Sequence, residues 1–145
     1  MKLFCVRLIV ITILMLGFLA GCVGSKPYQK ATMVPGKSLI YVFRPESVFA
    51  RGEMFKLEVN RSMQGMLLNN AYIPVHINPG QVTVEVFQNS LVTKPRLATL
   101  TITTKAGETY YVKAKPGLAW QVELLQIDKE QGAKEIGGTA FYDKK

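Results

Sequence analysis

The clearest indication of the fold is the sequence YIPVHINPGQVTVEVFQ at residues 72–88. Apolar residues alternate with polar ones on both sides of a central Asn78-Pro79-Gly80 turn, in which Pro presets a negative φ and Gly accepts a positive one. Alternation with a period of two is typical of strands that bury one face. The stretch therefore predicts two strands joined by a tight turn. Its apolar positions are Ile73, Val75, Ile77, Val82, Val84 and Val86.

The same pattern continues outward along the chain. Residues 39–43 form a continuous apolar run, which is typical of a strand buried on both faces. Lys115-Pro116-Gly117 and Ala106-Gly107 supply further turn signals. We therefore predict an all-β domain, a β-sandwich of about seven or eight short antiparallel strands with an immunoglobulin-like or transthyretin-like architecture. The remaining predicted strands are residues 54–60, 66–68, 97–103, 109–115 and 119–127.

One short helix is predicted near the C-terminus. Asp128 can cap its first turn, Gln131 stands at the spacing of a capping box, and Gly137-Gly138 can end it. Gly132, in the middle of this segment, argues against a helix.

The apolar faces of the predicted strands supply a candidate core. Pro74 cannot donate a ladder hydrogen bond, so its strand is expected at a sheet edge or with a bulge. His76, on the polar face of that strand, is expected at the surface. The predicted core residues are Tyr41, Phe43, Phe55, Leu57, Val59, Val84, Val86, Leu100, Ile102, Val112 and Trp120.

The N-terminal segment is typical of a targeting signal. Lys2 and Arg7 precede 13 uncharged residues, LIVITILMLGFLA at 8–20, and Gly21-Cys22 follows. This run is too short for the roughly 20 residues of a membrane span. The succession resembles a bacterial lipoprotein signal, so residues 1–21 are predicted as a helical signal peptide. A plain secretory signal or an uncleaved anchor is the alternative.

In the lipoprotein interpretation, Cys22 becomes the mature N-terminus and carries acyl chains such as palmitate. Val23 follows instead of Asp, which in the enterobacterial sorting rule favours the outer membrane, facing the periplasm. Residues 22–38 are predicted as a flexible tether with a reach of roughly 20–24 Å, and residues 39–145 as the sandwich domain.

Composition excludes several classes of function. The 145 residues carry a net charge of +8, two cysteines and one histidine. This inventory excludes a Cys/His zinc site, a disulfide framework in the mature domain and most histidine-based catalysis. With no catalytic or phosphate-binding motif either, we predict no enzyme, no metal and no cofactor. An extracytoplasmic location also removes nucleic acid as a partner for the basic charge.

Several short motifs occur along the chain in a set order and spacing. They are IYVFRP at 40–45, VN at 59–60, Gly65, Leu67, NAY at 70–72, PG at 79–80 and AGETYYV at 106–112. Together they resemble a bacterial lipoprotein family, domain of unknown function 2846. The family usually has Gly near Arg61 and at Ala71, so this chain departs from it at two turns. The resemblance implies an extracytoplasmic, lipid-anchored β-sandwich and brings no established activity.

Candidate contact residues lie on the polar sides of the predicted strands. Arg44 ends an apolar run, and it is expected to bind a loop carbonyl or carboxylate in preference to a ligand. Tyr72 and Tyr111 are candidates for exposed contact, and Lys113 and Lys115 are expected to share the outward face of one strand.

Two functions remain open from the sequence. One is a structural or interaction module that binds another envelope protein, for instance through a strand edge. The other is a lipoprotein that recognises envelope glycan or anionic lipid through its basic and aromatic side chains.

Overall fold

The structure is a computed structural model and describes residues 25–142. The predicted signal peptide and Cys22 lie outside these residues. The described chain forms ten strands and one helix. In order, these are β1 Ser25–Pro27, β2 Ser38–Arg44, β3 Phe55–Val59, β4 Ser62–Leu67, β5 Ala71–Ile77, β6 Gly80–Gln88, β7 Arg96–Thr104, β8 Thr109–Pro116, β9 Val122–Ile127, α1 Lys129–Ile136 and β10 Ala140–Tyr142.

The strands form two sheets, so the predicted all-β sandwich is confirmed. The six-stranded sheet has the order β1-β10-β5-β2-β8-β9, and the four-stranded sheet has the order β4-β3-β6-β7. Two details differ from the prediction. The three-residue strands β1 and β10 are too short to show alternation, and β8 pairs with β2 in parallel. Between β2 and β8 the chain crosses to the four-stranded sheet and back twice, first through β3 and β4 and then through β6 and β7.

The core lies between the two sheets and is built from the alternating positions. All seven residues of β2 are buried, as its continuous apolar run predicts. Two members of the predicted core differ. Leu100 is only half-buried against the core. Trp120 is 50% exposed, so its placement in the core is wrong, because β9 begins at Val122 and the preceding residues form a loop.

A second apolar layer covers the outer face of the six-stranded sheet. Here α1 and the segment 28–33 pack over the side chains that β2, β5 and β8 turn away from the sandwich core. The sheet is consequently buried on both faces. The buried members of this layer are Leu39, Tyr41, Phe43, Tyr72, Tyr111 and Ile136.

Helix α1 confirms the predicted caps. Gln131 N donates to Asp128 Oδ1 at 2.9 Å, and Gly137 is the C-cap residue. The Gln131 side chain donates to Glu135 instead of closing a capping box. Gly132 belongs inside this helix for a packing reason, since a Cβ there would lie 2.2 Å from Cγ of Tyr111. Among the described residues, no helix has the length and hydropathy of a membrane span.

The two ends of the sandwich differ in their connections. We call the end with residues 45–54, 89–95 and 117–121 the loop end, because these three loops are long; the short connection 68–70 lies at the same end. We call the opposite end, with residues 60–61, 78–79 and 105–108, the turn end. β2 runs from the turn end, where Ser38 pairs with Ile77, to the loop end, where Arg44 pairs with Ala71.

Candidate functional site

Exposed hydrophobic side chains are concentrated at the loop end. Eight large hydrophobic residues are exposed in the described part of the chain, and only Val34 and Met63 lie elsewhere. Single exposed apolar residues are ordinary, but a group at one end of a domain is typical of an interaction surface. The six at the loop end are Val48, Phe49, Leu91, Val92, Leu118 and Trp120.

Two of the three loops enclose an open cavity of about 260 Å³. Phe49 and Trp120 contribute its aromatic walls, and Leu118 adds an aliphatic one. Arg51 and Glu53 line it as well, so the depression combines apolar and charged side chains.

Arg44 holds the first of these loops in place. The side chain is fully buried, and its guanidinium donates to the carbonyl oxygen of Glu53 at 2.8 Å and to that of Ala50 at 2.5 Å. It also lies 4.5 Å from the ring centroid of Phe55. Burial lowers the pKa of Arg44, and the carboxylate of Glu53 opposes this shift. Arg44 therefore ties loop carbonyls, as the sequence predicts, and it lies too deep to contact a ligand.

The loops carry a strained backbone next to their exposed side chains. Ala50, Ala119 and Trp120 have φ values of 51°, 53° and 65°, a left-handed conformation that costs non-glycine residues roughly 1–2 kcal/mol each. The 117–121 loop is closed by a hydrogen bond of 2.8 Å from Gly117 N to Gln121 O. This backbone presents the Trp120 side chain to solvent, and backbone strain of this kind is often found in functional loops.

Ion pairs neutralise most of the charge around the loop end. Arg51 pairs with Glu46 at 3.0 Å, and Arg96 pairs with Glu85 at 2.9 Å. Because these basic groups already have carboxylate partners, the end offers little net attraction to an anionic ligand. A further ion pair joins Lys94 to Glu58.

The two tyrosines predicted as exposed contacts are both buried. Tyr72 is 3% and Tyr111 is 5% exposed. Tyr111 stacks on Tyr41 with centroids 5.5 Å apart beneath Gly132, and burial together with Tyr41 raises its pKa. The prediction of exposure is wrong, because the outer layer covers the face on which both rings lie.

The two lysines predicted to share an outward face lie in different environments. Lys113 binds Glu135 of α1 at 2.7 Å and is about three-quarters buried, whereas Lys115 is exposed beside Pro116. The structure therefore does not bring the five predicted contact residues together on one surface. His76 is exposed as expected, and its Nε2 lies 2.8 Å from the carbonyl oxygen of Thr32.

Sequence reasoning missed Phe49 and Trp120 as site residues. The available signal was the Pro116-Gly117 turn, since Leu118 and Trp120 follow it before the alternation of β9 begins. Within residues 25–142, no three His, Cys, Asp or Glu side chains are grouped as metal ligands.

Comparison with protein families gives one match. A family model described as "Protein of unknown function (DUF2846)" matches residues 34–122, from the turn before β2 to the first residue of β9. The match includes Arg44 and the three loops of the loop end. Comparison with curated proteins found no match. Because the family model covers more than half of the chain, the chain belongs to the DUF2846 family of proteins of unknown function.

Proposed function

We propose that this protein is a non-catalytic, lipid-anchored interaction module of the bacterial cell envelope, which binds another protein through its loop end. The observation that carries the proposal is the concentration of six of the eight exposed large hydrophobic residues on the three loops of that end. The fold does not require these six side chains, because none of them belongs to the sandwich core or to the outer layer.

The chemistry of the loop end favours a protein partner with an apolar surface. Trp is among the residues that contribute most to protein interfaces, and Trp120 lines a cavity together with Phe49 and Leu118. The ion pairs of Arg51 and Arg96 leave little charge for an anionic polymer. The 45–54 loop is held in place by Arg44, which lowers the entropy lost on binding.

The membrane anchor in this proposal rests on the sequence. Thirteen uncharged residues end in Leu19-Ala20-Gly21-Cys22, so Cys22 is proposed as the acylated mature N-terminus. Val23 supports the outer membrane, with the domain in the periplasm. Acyl chains anchor a protein by about 0.8 kcal/mol for each buried methylene, and two or more chains give stable attachment.

The partner surface is tested by co-purification from crosslinked envelopes. The test variant is Phe49→Ser with Trp120→Ser. The matched control is Val34→Ser with Met63→Ser, which removes the two exposed hydrophobic residues that lie away from the loop end. We expect the test variant to lose a recurrent protein partner at least tenfold and the control to retain it. Equal recovery by both variants would reject the loop end, and recovery that depends on glycan or anionic lipid would favour the ligand-binding alternative.

The anchor is tested separately with labelled fatty acid. Cys22→Ala should leave an unprocessed precursor that takes up no label, whereas Phe49→Ser with Trp120→Ser should be labelled like the wild type. Equal labelling of Cys22→Ala would refute the anchor and leave the loop-end surface to be judged on its own.

A further inference from the structure

We infer that the segment 25–33, called the strap below, holds the domain directly against the lipid surface, with the β1 edge of the six-stranded sheet towards the head groups. This inference rests on the proposed acylation of Cys22. The sequence predicted a flexible tether over residues 22–38. The described part of that segment lies against the sheet instead.

The strap begins as an added strand. β1 pairs antiparallel with β10, with Ser25 opposite Tyr142 and Pro27 opposite Ala140. Ala140 in turn pairs with Ala71 at the start of β5. The strap is thereby joined to the six-stranded sheet within three residues of Cys22.

After β1, the strap is held by aromatic packing. The ring of Tyr28 lies 5.9 Å from that of Tyr41 and 5.2 Å from that of Tyr72, both in edge-on geometry. Such edge-on pairs stabilise the contact beyond the burial of area alone. Ala31 and Met33 pack against the same cluster.

Side chains of the sheet also bind the strap backbone. The hydroxyl of Tyr72 accepts from Gln29 N at 3.0 Å and donates to Gln29 O at 3.2 Å. The hydroxyl of Tyr41 accepts from Ala31 N at 2.7 Å. Buried backbone groups need such partners, so the tyrosines of β2 and β5 specify where the strap lies. This gives Tyr72 a role that differs from the predicted ligand contact.

Because the strap is docked on the sheet, only a short stretch of sequence separates Cys22 from the folded domain. Cys22 and Ser25 are three residues apart, which span at most about 10–11 Å when fully extended. A free tether of 16 residues would have given roughly 20–24 Å. The exposed side chains of Lys26 and Lys30 lie on the strap, and basic residues close to an anionic membrane surface are attracted to it.

This placement also limits the class of partner. With the β1 edge towards the lipid, the strands run roughly along the surface, and the loop end points sideways. A protein bound at the loop end would then lie at the same membrane surface as this protein.

The experiment uses the full acylated chain in vesicles that contain a fluorescent head-group acceptor. Trp120 is the sole tryptophan and serves as the energy donor. The test variant is Tyr28→Ser with Tyr72→Phe. The control is Tyr110→Phe. The Tyr110 hydroxyl accepts from Lys105 N and donates to Glu108, away from the strap.

A second readout is tryptic cleavage after Lys30, which measures docking of the strap without reference to the lipid.

We expect strong energy transfer and slow cleavage in the wild type and the control. The test variant should show clearly weaker transfer and at least tenfold faster cleavage. Wild-type cleavage as fast as that of the test variant, with the lipid anchor intact, would overturn the strap and leave the proposed anchor standing. A chain that resists cleavage but takes up no acyl label would reject the anchor, and with it the placement at the membrane.

Discussion

The turn end and the loop end of the sandwich are built differently. At the turn end, connections of two to four residues are tied by polar contacts, such as the hydrogen bond of 2.8 Å from Gly107 N to Lys37 O. At the loop end, the connection between β2 and β3 alone spans residues 45–54, and its exposed side chains are apolar. The turn end therefore serves the fold, whereas the loop end carries exposed apolar side chains that the fold does not require.

Replacing the buried Arg44, which supports the loop end, should cause the largest loss of stability. Arg44→Met leaves the carbonyl oxygens of Ala50 and Glu53 without their donor. Each buried group left without a partner costs about 1–3 kcal/mol, so we expect the free energy of unfolding, measured by chemical denaturation, to fall by about 2–5 kcal/mol. The control is Arg61→Met at the exposed turn end, which should change stability by less than about 0.5 kcal/mol. Equal effects at the two ends would contradict the scaffold role of Arg44.

A change in the outer layer should destabilise the domain without altering either end. Gly132→Ala places a Cβ against the ring of Tyr111, and overpacking of this kind costs about 1–3 kcal/mol. Ala133→Gly, on the exposed side of the same helix, lowers helix propensity by about 1 kcal/mol without a clash. Thermal denaturation should therefore show the larger loss for Gly132→Ala. A smaller loss than that of Ala133→Gly would refute the close contact.

Glycine at positions with a positive φ should stabilise both ends but should lower partner recovery only at the loop end. Asn60 and Arg61 have φ values of 49° and 65° in a two-residue hairpin, so Arg61→Gly should stabilise the protein by about 1 kcal/mol and leave partner recovery unchanged. Ala119→Gly should give a similar gain but lower partner recovery, because a looser backbone orders Trp120 less well. Unchanged recovery in both variants would show that the strain of the 117–121 loop has no part in binding.

The smallest expected effect is a pH dependence from the outer layer. A hydrogen bond from Lys113 holds the pKa of Glu135 below its ordinary value, although desolvation opposes this. A carboxylate with a lowered pKa stabilises the fold fully above its ordinary pKa, and the contribution is lost as pH falls through the lowered one. Lys113→Ala should therefore lower the free energy of unfolding by less than about 1 kcal/mol at neutral pH. It should also make the free energy of unfolding depend less steeply on pH in the acidic range. An unchanged pH dependence in this range would contradict the ion pair.

The fold could be predicted wherever burial alternates along a strand. β6 and the central residues of β2 follow directly from their apolar patterns. The parallel pairing of β2 with β8 could not be predicted, since parallel and antiparallel neighbours bury the same side chains. The strap was missed for a related reason. Its order comes from tyrosine hydroxyls on other strands, and a local pattern contains no sign of them.

The site was harder to predict because exposure depends on what covers a face. Tyr72 and Tyr111 stand on the polar side of the alternation, yet the strap and α1 bury them. Trp120 continues the apolar phase of β9, yet the left-handed backbone at Ala119 and Trp120 turns it into a loop. Arg44 was predicted correctly, because a charge at the end of a buried strand must find carbonyl or carboxylate partners close by.

The most direct test of the loop end as the recognition surface is photocrosslinking in intact cells. A photoreactive amino acid replaces Trp120 at the loop end or Arg61 at the turn end, and both positions are exposed. We expect one recurrent protein adduct from position 120 and none from position 61, with both proteins folded and equally anchored. The same adduct from both positions, or an adduct from position 61 alone, would contradict the assignment of recognition to the loop end.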